Sequence, residues 1–426
     1  MKKVSYFTYK ANRTNQIILY HLCYASRKLW NVGNYEKRNW SKEQGVPFPN
    51  WYEQKKRLKT HFWYKQLPAQ SAQEVLKVLQ EAWVSFFKLK ESNGIDNPQP
   101  PRFKHQNFNV RFLNNSFKLV ENNTKIRLPI PKAQKAFLKE TYGLEESYLY
   151  IPIPKHIEIE KIKLIEVKPI SRKEYTIYLI QEYKDVPLKQ KNSTKFLSID
   201  LGIANAMTCY DYQGKAHIIS GRQWLSVERY FHKQIAHFQA IGFAQQCAKG
   251  IQYPKPSRRV LQLYQKKRKQ VHHMLHCMTR KVIDIALQQG VETIVIGDIT
   301  GIREQAKFNK KTNQKLHGFP YAKIIQMIRY KAQEQGIDVR LLTEEYTSQA
   351  CSVCQMFPCE ENAKPSNRIH RGLYVCNDCH TTINADVNGA INISKKYLKE
   401  IKALSQSVVV LDTPTVYTFN GQQFVA

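Results

Sequence analysis

Apolar positions between about Gln16 and Arg38 recur every three or four residues, the stripe of an amphipathic helix. A second stripe, Val75, Leu79, Ala82 and Phe86, follows Pro68. The prolines of Asn97-Pro-Gln-Pro-Pro-Arg102-Phe-Lys104 forbid helix and end this part. Beyond them the period falls to two: Ile157 to Lys168 and Tyr175 to Tyr183 alternate apolar with polar residues, which predicts half-buried strands. At Lys195 the pattern changes again. Phe196 to Ile199 reads as a short apolar strand ending at Asp200, followed by strands around Ala206 to Tyr210 and His217 to Ile219. Val291 to Ile296 and Val339 to Leu342 are two more, each preceded by a helical stretch, Leu261 to Gln289 and Ala322 to Gln335. Three strands in a row, then strands separated by helices, predict a mixed α/β sheet of the ribonuclease H type behind a β-rich body with a helical insertion. The Val- and Thr-rich tail after about Ser405 carries no pattern that assigns it.

Composition adds a partner to this outline. A chain of 426 residues with 42% hydrophobic content has room for two or three domains with cores of their own. Its 66 Lys and Arg against 34 Asp and Glu leave a formal charge of +32, a self-repulsion that a polyanion would relieve. Nucleic acid is the expected partner, with a generic basic surface as the alternative. The start Met-Lys-Lys-Val-Ser-Tyr lacks the apolar core of a signal peptide, and no apolar run reaches membrane-spanning length. A cytoplasmic, nucleoid-associated protein with reduced thiols is therefore expected. Trp30, Trp40, Trp51, Trp63 and Trp83 crowd the first part. Most such rings serve a core, and exposed ones can act as platforms for bases.

Two Cys-x-x-Cys pairs, Cys351/Cys354 and Cys376/Cys379, have the spacing of a zinc ribbon, because each tight turn can grip one tetrahedral ion and the two turns then close on each other. A disulfide pair or inert buried thiols are the alternatives, and Cys359 leaves the ligand set open. The segment Asn384-Ala-Asp386-Val-Asn388-Gly-Ala-Ile-Asn392 follows at once. Hydrolysis of a phosphodiester by two metal ions needs several carboxylates around ions about 4 Å apart. Asp200 at a strand end and Asp386 at a helix start are candidates, with Asn384, Asn388 and Asn392 adding polar groups nearby. Alone, either aspartate would read as a turn former or a helix cap.

Ser198-Ile-Asp200-Leu-Gly202, Tyr346-Thr-Ser348-Gln-Ala-Cys351-Ser-Val-Cys354 and Asp386-Val-Asn388-Gly-Ala390-Ile-Asn392 resemble the TnpB (OrfB) transposon-encoded nucleases, relatives of type V CRISPR effectors and of Fanzor proteins. Leu67-Pro-Ala-Gln-Ser, Pro101-Arg-Phe-Lys104 and Tyr330-Lys-Ala-Gln-Glu-Gln-Gly336 match the family in order, so the resemblance spans nearly the whole chain. It implies a β-barrel-like wedge domain with a helical recognition insertion over residues 1–190, a RuvC-like nuclease over 191–347, a zinc ribbon over 348–382, the last part of the nuclease over 383–405 and a tail over 406–426. It also implies an RNA-guided DNA endonuclease that cuts next to a short motif. The partners would be a guide RNA derived from the transposon end and double-stranded target DNA, and the cofactors structural Zn2+ and catalytic Mg2+.

One departure falls on the chemistry. Where the family has a glutamate ending the middle catalytic strand, this chain has Gly297 in Ile294-Val-Ile296-Gly297-Asp298. An inactive nuclease that binds without cutting is one outcome. The other is relocation: neighbouring strands lie about 4.8 Å apart, so a glutamate at the end of the next strand could reach the same place. Leu341-Leu-Thr-Glu344-Glu345-Tyr346 offers two. Similarity to the Glu-x-Tyr-Thr pattern of Fanzor proteins and a TnpB subset selects Glu344, although strand parity read from sequence leaves Glu345 open. Asp298 is a third candidate, expected to face away from Gly297. The implied magnesium ligands and catalytic residues are Asp200, Glu344 and Asp386, with Asp200 shared between two ions; Cys351, Cys354, Cys376 and Cys379 are the zinc ligands. A guide-free resolvase remains a third function that a RuvC-like core would permit.

Three further signals have bland readings beside functional ones. Lys266-Lys-Arg268-Lys269 is a phosphate-following face or a solvated one. His272 and His276, one helical turn apart, fit packing better than a metal site. The basic stretch from Lys307 to Lys315 would guide single-stranded DNA or simply meet solvent.

Overall fold

Nine consecutive register pairs tie the start of the chain to residues 174–182, so the first strand is fixed by a partner far away in sequence. The computed structural model describes residues 2–41, 45, 47–92, 96–299, 309–370, 372–403 and 413–426. It divides into two units, Met1–Asp185 and Val186–Ala426.

In the first unit, β1 (Lys2–Lys10) leads into α1 (Arg13–Arg38), then the short α2 (Trp51–Arg57) and α3 (Phe62–Lys65), and α4 (Ala69–Glu91). The strands β2 (Val110–Leu113), β3 (Lys118–Val120) and β4 (Lys125–Pro129) follow, then α5 (Lys132–Tyr142), β5 (Tyr148–Pro152), β6 (Lys161–Pro169) and β7 (Glu174–Glu182). They form two antiparallel sheets, ordered β1-β7-β6-β2 and β3-β4-β5. One core joins the helices to both sheets, from Leu22, Leu29, Leu76 and Leu79 to Phe112, Ile151 and Ile177. Some of its buried polar groups pair within it: the Trp83 indole N–H donates to Asn34 Oδ1 at 2.9 Å, and Lys37 Nζ donates to Gln80 Oε1 at 2.7 Å. The helix α5 falls where strands alone were expected. It starts behind Pro131 and stops at Gly143, whose φ of 67° forms a left-handed C-cap, so both punctuation signals were present.

The second unit is built on β8 (Phe196–Asp200), β9 (Asn205–Asp211) and β10 (Ala216–Ser220), the long helices α6 (Arg222–Cys247) and α7 (Arg258–Gln288), and β11 (Thr293–Asp298). Next come α8 (Lys310–Gly318), α9 (Tyr321–Gln333), β12 (Asp338–Thr343), the hairpin strands β13 (Leu373–Val375) and β14 (Thr382–Asn384), and α10 (Ala385–Glu400). The tail is not a loose end. Its strands β15 (Thr415–Phe419) and β16 (Phe424–Val425) complete one seven-stranded sheet, ordered β12-β11-β8-β9-β10-β15-β16. β15 runs parallel to β10, and Phe424 is buried in the sheet's core. The sheet has two covered faces: Leu197, Ile199, Ile294 and Ile296 pack toward α7 and α9, whereas Phe196 and Val295 pack toward α10. That division by strand parity decides which side chains can meet at the strand ends. Of the basic stretch expected from Lys307 to Lys315, residues 307 and 308 lie outside the described residues and the remainder opens α8.

Candidate active site

Parity brings the carboxylates together. On β8, the Phe196 ring meets Tyr397 at 6.1 Å and the Ser198 hydroxyl donates to the Ala390 carbonyl of α10 at 2.7 Å, so Asp200, two residues further, turns to the same face. β11 runs parallel to β8, with Val295 beside Ser198 and Ile296 beside Ile199; the next step sets Gly297 beside Asp200. Gly297 in turn pairs with Leu342 of β12, which packs under α10. Just past the end of β12, Glu344 is partly buried at the Gly297 position, whereas Glu345 is exposed. A Cβ added at Gly297 would fall 2.6 Å from Cδ of Glu344, so the two positions compete for one space. Gly389 does the same for the helix: a Cβ there would come within 2.8 Å of Asp200 Oδ2, and its absence lets α10 close on the carboxylate.

Asp386 stands in the first turn of α10, where the helix dipole favours a negative charge. Asn384 caps that helix, its Oδ1 accepting from the backbone N–H of Asp386 at 2.9 Å and of Val387 at 3.3 Å. The Asn205 amide donates to Asp386 Oδ2 at 2.8 Å, and the Arg368 guanidinium lies 3.9 Å from Oδ1. Burial, followed by the charges of Glu344 and Asp386, pushes the Asp200 carboxyl well above the usual range, with Arg368 opposing. Burial and the Asp298 charge push Glu344 up to about 7, with Lys396 opposing. Asp298 therefore still acts on the cluster electrostatically, although Ile294 and Ile296, which share its strand parity, pack on the other face of the sheet. Glu344 Oε1 is buried without a hydrogen-bond partner. Crowded hard oxygen donors that repel one another, one of them orphaned, fit a divalent cation such as magnesium.

Beside this corner the four expected cysteines form their own cluster, with sulfurs all within 4.8 Å of one another. Cys351 lies 3.7 Å from Cys379 and Cys354 lies 3.7 Å from Cys376, both free thiols. A tetrahedron with zinc–sulfur bonds of about 2.3 Å has edges of about 3.8 Å, so the cluster has the size of a zinc site and not of a disulfide. At Cys379, burial raises the thiol, but hydrogen bonds with Thr381 and Cys376 prevail and bring it down to about 6, toward the thiolate a metal needs. Cys359 stands outside the cluster, its backbone N–H bonded to Asn362.

Other expected site residues fall elsewhere. Asn388 and Asn392 do not line the carboxylates; their amides donate to the Ala350 carbonyl at 2.9 and 2.8 Å, fastening the lead into the ribbon onto α10. The His272 and His276 rings lie 4.4 Å apart, tilted by 58°, and burial lowers both, His276 to about 4. Lys266, Arg268 and Lys269 are exposed, but Lys267 binds Glu228 at 2.6 Å. Sequence reasoning missed Asn205, Arg368 and Gly389, none of which stands out until the fold closes around it.

The probable-transposase family model OrfB_IS605 matches residues 178–303, and the TNB domain model of Cas12f1-like proteins matches residues 321–393. Over these stretches the chain is similar to TnpB/OrfB-type and Cas12f-like proteins. It is 25% identical over 402 residues to the TnpB-like protein ORF457 of Acidianus two-tailed virus, covering 87% of this chain and 81% of that protein. It is 24% identical over 390 residues to the CRISPR-associated endodeoxyribonuclease Cas12f1 of Syntrophomonas palmitatica, covering 80% and 76%. Its fold is similar to that of Cas12f1 in a complex with sgRNA and target DNA, with a TM-score of 0.59 and 16% identity over 90% of this chain and 83% of that one. No helix among the described residues is long and apolar enough to cross a membrane.

Proposed function

We propose that this protein is an RNA-guided DNA endonuclease encoded by a transposon, cutting target DNA next to a short motif, with Glu344 standing in for the glutamate absent at Gly297 as in Fanzor-like relatives. The observation that carries the reading is the meeting of Asp200, Glu344 and Asp386 on one face at the strand ends, with the Glu344 carboxyl in the space that a side chain at 297 would need. Asp200, Glu344 and Asp386 would hold two Mg2+ ions, which when bound neutralise phosphate charge and lower the proton affinity of water. The chain's own groups prepare that site. Asn205 fixes one oxygen of Asp386, leaving the other toward Arg368, whose guanidinium is half exposed and offers a positive charge to a phosphate. Burial and the Asp298 charge keep Glu344 prone to protonation while the site is empty of cations. Zn2+ on Cys351, Cys354, Cys376 and Cys379 would be structural, holding the ribbon that α10 grips through Asn388 and Asn392.

A nuclease-inactive guided binder is the second reading, favoured by Gly297 and opposed by the filled space above it. Purified protein should carry a defined RNA, and that RNA's matching duplex should be cut only when magnesium is present. Glu344→Ala should abolish cutting with binding retained, while Glu345→Ala should cut like the wild type. Cleavage that survives in Glu344→Ala would remove the relocation; protein that binds guide and target but never cuts would establish the inactive reading. Purification without any RNA, combined with cutting of branched DNA, would favour the resolvase.

A further inference from the structure

In the first unit, Tyr20 and Tyr24 of α1, Phe62 and Trp63 of α3, Gln66 and Phe137 line a cleft of about 350 Å3. That volume is at the low end of small-ligand sites, which run from roughly 300 to 1,000 Å3. The rings are left partly uncovered, with Phe62 58% and Tyr20 41% exposed, so this aromatic cluster does not serve the core alone. Trp63 meets its neighbours edge to face, Tyr24 at 65° and 5.5 Å and Phe62 at 80° and 4.8 Å, so it is not stacked on either of them. Cations stand at the same rings: Arg27 lies 4.5 Å from the Tyr24 centroid, and Lys28 lies 5.4 Å from Tyr24 and 5.8 Å from Trp63. Burial lowers the proton affinity of His21, and its Nε2 lies 3.1 Å from the Tyr142 hydroxyl. A guest that matches flat aromatic walls beside two fixed cations is flat and aromatic at one end and anionic at the other. A nucleotide has that chemistry.

We propose that this cleft holds one unstacked base of a single-stranded nucleic-acid segment, stacked on Trp63, with Gln66 at the base edge and Arg27 and Lys28 toward the flanking phosphate. The inference rests on the nucleic-acid reading above and adds a site to it. The test uses the full-length protein with fluorescein-labelled, 20-nucleotide single-stranded RNA and DNA of one mixed sequence, read by anisotropy. Trp63→Ala should bind about tenfold more weakly to at least one of them, and Trp63→Phe should restore most of that loss. Loss confined to RNA assigns the base to RNA, loss confined to DNA assigns it to DNA, and loss in both supports a base of either. The weakening should persist at raised salt, because stacking releases no counterions, whereas Lys28→Gln should lower the salt slope by about one. Phe62→Ala, a change at an exposed ring, carries the test if Trp63→Ala melts early. Folded variants at both positions with wild-type affinity would overturn the cleft while the nuclease reading stands. Wild-type protein that binds neither oligonucleotide would overturn both.

Discussion

The cysteine cluster and the carboxylate cluster lie in one unit of the molecule, yet they are specified in opposite ways. Cys351 and Cys379 are 28 residues apart and meet through two tight turns. Local spacing is enough to place four sulfurs at the corners of a tetrahedron. Asp386 and its partner Asn205 are 181 residues apart, and Asp200 and Glu344 come from different parallel strands. There, the register of a sheet and the side on which α10 packs decide what meets. A short-range site tolerates little change in its own ligands, whereas a long-range site could exchange a ligand for one on the neighbouring strand, the exchange proposed for Gly297 and Glu344.

The strongest challenge to that contrast is Asp200→Ala, which removes the carboxyl central to the dispersed cluster. Cleavage should drop by at least about a thousandfold, the equivalent of several kcal/mol of lost charge stabilisation, with target binding unchanged in a gel-shift assay. Gly297→Ala probes the shared space more finely. Its Cβ would push Glu344 aside, and a displacement of about 1 Å is enough for roughly a hundredfold loss in cleavage rate. Gly297→Glu combined with Glu344→Gly should recover part of the activity; no recovery would mean that neighbouring strand ends are not interchangeable.

The short-range site should respond in stability before chemistry. Cys376→Ser should lower the thermal midpoint by about 10 °C, taking ~4 kcal/mol lost and ~2–4 °C per kcal/mol, and zinc measured by mass spectrometry should fall below one per chain. An unchanged midpoint and metal content would remove the zinc assignment.

The smallest expected effect is a pH dependence. Glu344 is pushed up to about 7 in the fold, against about 4.3 for an unstrained glutamate, so the native protein binds more protons than the unfolded chain in between. Its stability contribution is present below the ordinary carboxylate range and is lost as pH rises through about 7. Metal-free protein should therefore melt a few degrees lower at pH 7.5 than at pH 5, and magnesium should raise the midpoint more at pH 7.5, where protons no longer compete for the carboxyls. Equal magnesium effects at both values would argue that Glu344 holds no cation.

Legibility followed the range of the interactions. The helices near Gln16–Arg38 and after Pro68 and the strands at Phe196 and Val291 were readable because each carries its own period of apolar residues. β1 was missed because its alternation is mostly exposed and makes sense only against β7. α6, with few buried positions over 26 residues, gave no clear stripe. The motif places Asn388 and Asn392 near Asp386 in sequence but does not say which way the helix turns them, and their amides meet the Ala350 carbonyl.

The amino-acid sequence by itself determined the zinc-sized knuckle, the paired strand and helix pattern of the nuclease unit, the basic charge and the candidate acids, because all of these depend on neighbours within a few dozen residues. Only the tertiary structure decided that Glu344 and not Glu345 faces Asp200, that Arg368 and Asn205 attend Asp386, that the tail completes the sheet, and that three aromatic segments close on one cleft. Those outcomes depend on strand register and on which face a helix covers, and both are set by burying side chains that the chain brings together from far apart.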